Sequence, residues 1–252
     1  MPTPPWSTAL ITGASSGLGR GLALWLVHRG VRVWAAARRL DRLEALRDEA
    51  GGLVEPLALD VSDGPATFAR VEALDREVGG LDLVIANAGF GERTSLRSLD
   101  HASVQRMLDV NVSGATATLL GAAPGMVARG RGHLVGMSSL AGLAAFPRSS
   151  AYCASKAYLT MFLDALRLDV ARHGVTVTSL HPGYVKSEMT DRNPAGEMPF
   201  LLETEDAVER MGRALLARRE RLLFPWQAAA LVRAVGALPA GAQRWLAGLG
   251  RR

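Results

Sequence analysis

Tyr152-Cys153-Ala154-Ser155-Lys156, with Ser138-Ser139 shortly before it, is the stretch whose residue types could do acid–base chemistry. On a helix, positions 152 and 156 lie one turn apart, so the phenol and the ammonium share a face. A free tyrosine titrates near pH ~10, too high to exchange protons readily at neutral pH. A lysine cation beside it stabilises the tyrosinate, and each pKa unit corresponds to about 1.4 kcal/mol. Such a pair can give a proton to a developing alkoxide or take one from an alcohol. Ser139 could hold the same substrate oxygen by a hydrogen bond. Tyr and Lys four apart are common on helices, so the spacing alone carries little. Composition adds to it: of the 29 basic residues only Lys156 and Lys186 are lysines. A chain that otherwise uses arginine carries here the basic residue whose pKa is more easily tuned.

Those groups need a scaffold, and 252 residues with 48% hydrophobic content can bury a substantial core. The reading is one dinucleotide-binding and catalytic domain over 1–252, without internal repeats or low-complexity linkers. No basic segment followed by an apolar run marks a signal peptide, and no apolar stretch reaches the ~20 residues of a membrane-spanning helix. The single cysteine, Cys153, rules out an internal disulfide and fits a reducing cytoplasm. With no evident base beside it, Cys153 reads as a packing residue rather than a nucleophile. Net charge is +5, but from Arg210 onward nine arginines face only Glu220, which leaves −3 for residues 1–209. The body is therefore no basic nucleic-acid binder, and no metal-ligand cluster stands out.

Taken in order, the strand Ser7 to Thr12 runs into Gly13-Ala14-Ser15-Ser16-Gly17-Leu18-Gly19 and then a helical segment, Arg20 to Arg29. Strand, glycine-rich turn and helix are the parts of a dinucleotide phosphate site. Gly13 permits the turn, Gly17 lets backbone approach phosphate, and Gly19 allows the helix to pack on the strand. A second strand, Val31 to Ala37, ends in Arg38-Arg39, where NAD-binding versions place an acid for the ribose 2′-hydroxyl. Two arginines instead favour a 2′-phosphate, hence NADP(H) over NAD(H); the plain alternative is a pair of solvated loop residues. Helix 40–49 and strand Leu53 to Leu59 lead to Asp60-Val61, a pair suited to the adenine edge, although Asp60 could equally cap a turn. Helix 65–78 and strand Leu81 to Ala86 deliver Asn87-Ala88-Gly89, small residues that leave room for a ligand. The long segment 101–128 holds Asn111 among apolar neighbours. Strand Gly132 to Met137 precedes Ser138-Ser139, and strand Val175 to His181 precedes Pro182-Gly183. His181 has no acid to orient it and reads as packing. Seven strands alternating with six helices predict an α/β fold, a Rossmann-like doubly wound parallel sheet with helices on both faces.

Together and in order, Thr12 to Gly19, Asn87-Ala88-Gly89, Asn111, Ser139, Tyr152-x-x-x-Lys156 and Pro182-Gly183 resemble the short-chain dehydrogenase/reductase family over about residues 7–225. The resemblance implies that Tyr152 donates or accepts the proton and Ser139 holds the substrate oxygen. Lys156 would lower the tyrosine pKa and bind the nicotinamide ribose, and Asn111 would organise a relay water. The cofactor site would take in Gly13, Ser15, Ser16, Gly17, Leu18, Gly19, Arg38, Arg39, Asp60, Val61, Asn87, Ala88, Gly89, Tyr152, Lys156, Pro182, Gly183, Val185 and Ser187. Ser187 stands where many members carry threonine near the nicotinamide amide. The spacing of Tyr152 and Lys156 together with Ser139 points to carbonyl/alcohol rather than enoyl chemistry. The helices 101–128 and 151–173 would form the interface of a homodimer or homotetramer.

Residues 184–203 correspond to the family's substrate lid and include Met189, Met198, Pro199, Phe200, Leu201 and Leu202. With Phe90, Ala141, Phe146 and Tyr184 facing the same cleft, they indicate a hydrophobic carbonyl or alcohol substrate; the plain reading is that they pack the lid down. The extension 226–252 is apolar with scattered arginines and two tryptophans. Packing on this chain or a partner outweighs a membrane-surface role for it. Two alternatives to an NADP(H)-dependent oxidoreductase stay open: a non-catalytic NADP(H)-binding sensor on the same scaffold, and a protein acting at a membrane through its tail.

Overall fold

The computed structural model describes residues 4–92, 100–191 and 198–249. Seven strands form one sheet in the order β3-β2-β1-β4-β5-β6-β7, parallel throughout. They are β1 Thr8–Thr12, β2 Arg32–Ala37, β3 Val54–Ala58, β4 Leu83–Ala86, β5 Gly132–Met137, β6 Val175–Pro182 and β7 Arg221–Phe224. The expected Rossmann-like, doubly wound sheet is what the chain forms.

The strands read as near-continuous apolar runs because both faces of the sheet are covered. Alternation still operates within them, sending successive residues to opposite layers. From β1, Ala9 and Ile11 enter one buried cluster and Leu10 the other; β4 likewise sends Leu83 and Ile85 one way and Val84 and Ala86 the other. Helices α1 Gly17–Val27, α2 Leu40–Glu49 and α7 Thr204–Leu216 close the first layer with Leu22, Leu26, Leu43, Leu46, Met211 and Leu215. Helices α3 Gly64–Glu77, α5 Ala115–Arg129 and α6 Ser150–Val170 close the second with Val71, Leu74, Leu119, Ala122, Leu159 and Leu163. Each fully buried leucine or isoleucine contributes about 1.5–3 kcal/mol from transfer out of water.

The six strands with expected ranges match them within two residues and β7 supplies the seventh, but six helices were too few. The segment 101–128 is divided into α4 His101–Leu108, a π-helical turn Asp109–Gly114, and α5. The π turn lies against the chain after β3: a Cβ on Gly114 would stand 2.3 Å from the carbonyl oxygen of Val61. Such an approach is invisible to helical periodicity. Beyond β7, the extension forms α8 Trp226–Ala237 and α9 Ala240–Leu249. Ala228, Ala229 and Val232 of α8 pack on Leu140, Leu143 and Leu223, so the first part of the tail covers the turn that follows Ser139. Trp226 and Trp245 remain largely exposed. Among the described residues no helix is long and apolar enough to cross a membrane.

Candidate active site

The order β2-β1-β4 reverses the chain's direction of travel between β1 and β4, and the motifs gather over the carboxyl ends there. Gly13 has φ +68°, and a Cβ on it would lie 2.8 Å from the Cα of Ala88. A Cβ on Gly19 would meet both Gly13 O and Asn87 Nδ2 at 2.4 Å. The turn thus nests in the Asn87-Ala88 corner too closely for any side chain. Asn87 Nδ2 donates to Thr12 O (2.9 Å) and Gly13 O (3.2 Å), while Thr12 Oγ1 accepts the backbone N–H groups of Asn87 and Ala88. Asn87 therefore shapes the turn. Helix α1 begins at Gly17 with Ser16 as its N-cap, so the free N–H groups of its first turn, which favour anions, open onto this cradle. Leu18 packs on the core beneath. Glycines whose Cβ positions are filled, with a helix N-terminus beyond them, fit a dinucleotide pyrophosphate.

The two arginines after β2 part ways. Arg39 lies across the turn, with Nε and Nη2 donating to Ser15 Oγ (3.2 and 3.0 Å) and Nη2 to Ser16 Oγ (2.9 Å). Arg38 is mostly exposed and stands 3.8 Å from Asp60 Oδ2. Asp60 Oδ1 accepts the N–H (3.0 Å) and hydroxyl (2.9 Å) of Ser62, so its side chain caps the turn, as the plain reading allowed. Val61 is buried beside it.

Ser139, Tyr152 and Lys156 come together from β5 and α6. Ser139 caps a 3-10 turn over Leu140–Gly142; its Oγ accepts the N–H of Ala141 (3.1 Å) and donates to Pro182 O (3.4 Å). Ser138 instead bonds Lys156 O and Thr160, a structural role. Lys156 is 4% exposed, its Nζ donating to Met137 O (2.8 Å) and lying 5.8 Å from the centre of the Tyr152 ring. Burial lowers the lysine to about 8, so at pH 7 it is still mainly a cation. The tyrosine differs from expectation: burial pushes its pKa up, and a hydrogen bond with Ser139 pulls against that. The depression expected from Lys156 is not what this geometry yields, because the ammonium is aimed at the Met137 carbonyl. Tyr152 is accordingly a phenol at neutral pH. Cys153 is buried, and burial pushes its thiol up, which suits packing rather than attack.

Asn111 is fully buried in the π turn, where Oδ1 accepts Phe90 N (3.0 Å) and Nδ2 donates to Phe90 O (2.9 Å) and Ser155 Oγ (3.1 Å). Its amide fastens the chain beyond Gly89, and a Cβ on Gly89 would touch both Asn111 Oδ1 (3.1 Å) and Lys156 Nζ (3.2 Å). Gly183 N donates to Phe224 O (2.8 Å), and Val185 is in the core. Ser187 lies against the glycine turn, with its Cβ 3.5 Å from where a Gly17 Cβ would be. Its hydroxyl donates to Val185 O (3.3 Å) within its own turn. Phe146 O accepts the Ser149 N–H (3.3 Å) at the start of α6. Tyr184 and Met189 are about two-fifths exposed. The segment 184–203 is pinned at its base by a bridge between Val185 and Leu202; residues 192–197 lie outside the described residues.

Sequence reasoning missed three contributors. His181 is buried, its Nε2 meeting Ser179 Oγ (3.0 Å) and its Nδ1 meeting Ser139 O (3.4 Å), so the packing histidine also steadies the serine turn. Burial holds it down to about 4, hence neutral. Gly91 backs the Tyr152 ring, and Glu188 reaches Arg39 and Arg42. No local spacing signals these roles, since Ser139, Tyr152 and the two arginines are each remote in sequence from the residue that meets them.

A family model for short chain dehydrogenases matches residues 7–197. The chain is 54% identical over 237 residues to an uncharacterized oxidoreductase of Myxococcus xanthus, covering 93% of both. A short-chain dehydrogenase from Sphingobium yanoikuyae in complex with NADPH superposes with TM-score 0.81 at 30% identity, covering 95% of this chain and 94% of that one. One from Burkholderia phymatum in complex with NAD gives 0.82 at 25% identity, covering 92% and 94%. The chain belongs to the short-chain dehydrogenase/reductase family. It is an oxidoreductase with a nicotinamide-cofactor site.

Proposed function

We propose that this protein is an NADP(H)-dependent oxidoreductase interconverting a hydrophobic carbonyl compound and its secondary alcohol, with Tyr152 as general acid/base. The observation that carries this reading is the meeting of the Ser139 and Tyr152 hydroxyls above a buried Lys156. Two hydroxyls side by side can both donate to one substrate oxygen, fixing it while the phenol delivers its proton. Bound nicotinamide would supply or accept the hydride. Gly13, Gly17 and Gly19 would carry its pyrophosphate, Arg39 with Ser15 a ribose 2′-phosphate, and Asp60 and Val61 the adenine edge. Asn87, Ala88, Gly89, Pro182, Gly183, Val185 and Ser187 would enclose the nicotinamide half. Lys156 would hold the nicotinamide ribose, and its charge would stabilise the phenolate left after proton transfer. Asn111, which fixes the Phe90 backbone beside Lys156, would order the relay water.

Phe90, Ala141, Phe146, Tyr184 and Met189 would line the substrate cleft, and the apolar 198–202 stretch would cover it. The exposed Tyr158, Met161 and Leu168 of α6 support a homodimer or homotetramer through that face. We place the protein in the cytoplasm as a single domain, with the tail packing on its own body. A non-catalytic NADP(H) sensor is less well supported, since it would not require Tyr152 and Lys156 together.

The reading is tested by following NADPH and NADH oxidation with a panel of aromatic and lipid-like ketones, and NADP⁺ reduction with the matching alcohols. Turnover with NADPH is expected. Tight cofactor binding with no turnover on any member would favour the sensor.

A second measurement concerns Gly91, on which a Cβ would lie 2.9 Å from Tyr152 Cδ2. Gly91→Ala should displace the phenol and lower kcat by about tenfold to a hundredfold with cofactor affinity unchanged. A wild-type kcat in this variant would mean that the ring position does not limit the chemistry.

A further inference from the structure

Beside the glycine turn is a cleft of about 300 Å³ lined by Ser15, Ser16, Gly17, Arg20, Arg42 and Glu188. Arg39 borders it, held in place by its bonds to the two serine hydroxyls. Its remaining nitrogen, Nη1, donates to Glu188 Oε2 at 3.0 Å, and Arg42 Nη1 donates to Glu188 Oε1. One carboxylate from the chain after β6 therefore bridges two guanidinium groups from the start of α2. Both arginines hold the Glu188 carboxyl below the usual carboxylate range, so it is an anion at any working pH.

A phosphate monoester engages guanidinium N–H groups with the same planar, two-oxygen geometry as a carboxylate. Two anions cannot accept the same N–H bonds, and holding both beside one another would add like-charge repulsion. Resting on the NADP(H) reading above, we propose that Glu188 is a specificity-determining residue. Its carboxylate occupies the Arg39–Arg42 pair and competes there with the ribose 2′-phosphate, so the chain favours NADP(H) over NAD(H) less than its arginines alone would. NAD(H), which carries a hydroxyl at that position, leaves the Glu188 bridge intact. Because the carboxylate is about half exposed, the competition is modest and weakens with salt.

The test is calorimetric titration of NADPH and of NADH into wild type, Glu188→Gln and Arg39→Met. Glu188→Gln should tighten NADPH by about two- to tenfold, leave NADH within twofold, and lose most of its gain at high salt. An unchanged or weaker NADPH affinity in Glu188→Gln would overturn the proposal, because Glu188 would then be ordering the arginines rather than competing for them. Arg39→Met distinguishes the two levels. If it weakens NADPH but not NADH, the phosphate site stands whatever Glu188 does; if it leaves NADPH unchanged, the phosphate site falls and the competition with it.

Discussion

Tyr152→Phe is expected to lower turnover by about a hundredfold to ten-thousandfold while NADPH affinity stays within about threefold of wild type. The substitution removes one hydroxyl and keeps the ring that packs between Gly91 and the Lys156 side chain. Fold and glycine cradle are untouched, so the loss reports chemistry. The upward shift of Tyr152 adds a direction to this expectation. As a phenol at neutral pH, it is ready to donate in carbonyl reduction; alcohol oxidation needs the phenolate and should accelerate as pH rises toward and past 10. Single-turnover absorbance at 340 nm would measure both directions. Residual activity above a tenth of wild type would remove Tyr152 from the proton-transfer role.

The largest stability effect is expected at Arg129. Its Nη1 and Nη2 donate to Asp75 Oδ2 (2.7 Å) and Oδ1 (2.8 Å), and Asp75 Oδ1 also accepts the Leu81 N–H (2.8 Å). The pair joins the carboxyl ends of α3 and α5 to the lead-in of β4. Asp75 is 5% exposed, so Arg129→Met would leave a carboxylate buried with a single N–H partner. Removing one member of such a pair costs about 3 kcal/mol, because the other keeps its desolvation penalty. Adding Asp75→Asn should restore much of the loss, since an amide oxygen can still accept the Leu81 N–H without carrying charge. Urea denaturation of the single and double variants measures both. A single variant within 1 kcal/mol of wild type would show that water reaches the carboxylate and solvates it.

The fold and the candidate site are legible in the sequence because their signals are local. Strand β1, the glycine turn and α1 follow one another within twenty residues, and a two- or 3.6-residue period tells which side of each element is buried. Tyr152 and Lys156 share a helix face for the same reason. Ser139 stood out by its position shortly before Tyr152, and it lies just after β5, at the end of the sheet where topology puts ligands. Asn111 stood out in the sequence among apolar neighbours but not in its setting, since a π turn inside a helical pattern is imposed by the backbone it packs against.

What only the tertiary structure decided is which groups meet across the chain and in what environment. Arg38 and Arg39 are indistinguishable in sequence, yet one lies exposed near Asp60 and the other is pinned to two serines and to Glu188. Asp60 caps its own turn, the tail helix covers the serine turn, and His181 supports Ser139 from below. The pKa of Tyr152 rises where spacing alone implied a fall, because desolvation depends on everything packed around a hydroxyl and spacing reports only one neighbour. The sequence by itself determined the sheet, the cradle and the candidate side chains for proton transfer, since these follow from short-range pattern. The contacts that tune them join residues from separate elements, and only the packing of those elements sets their distances.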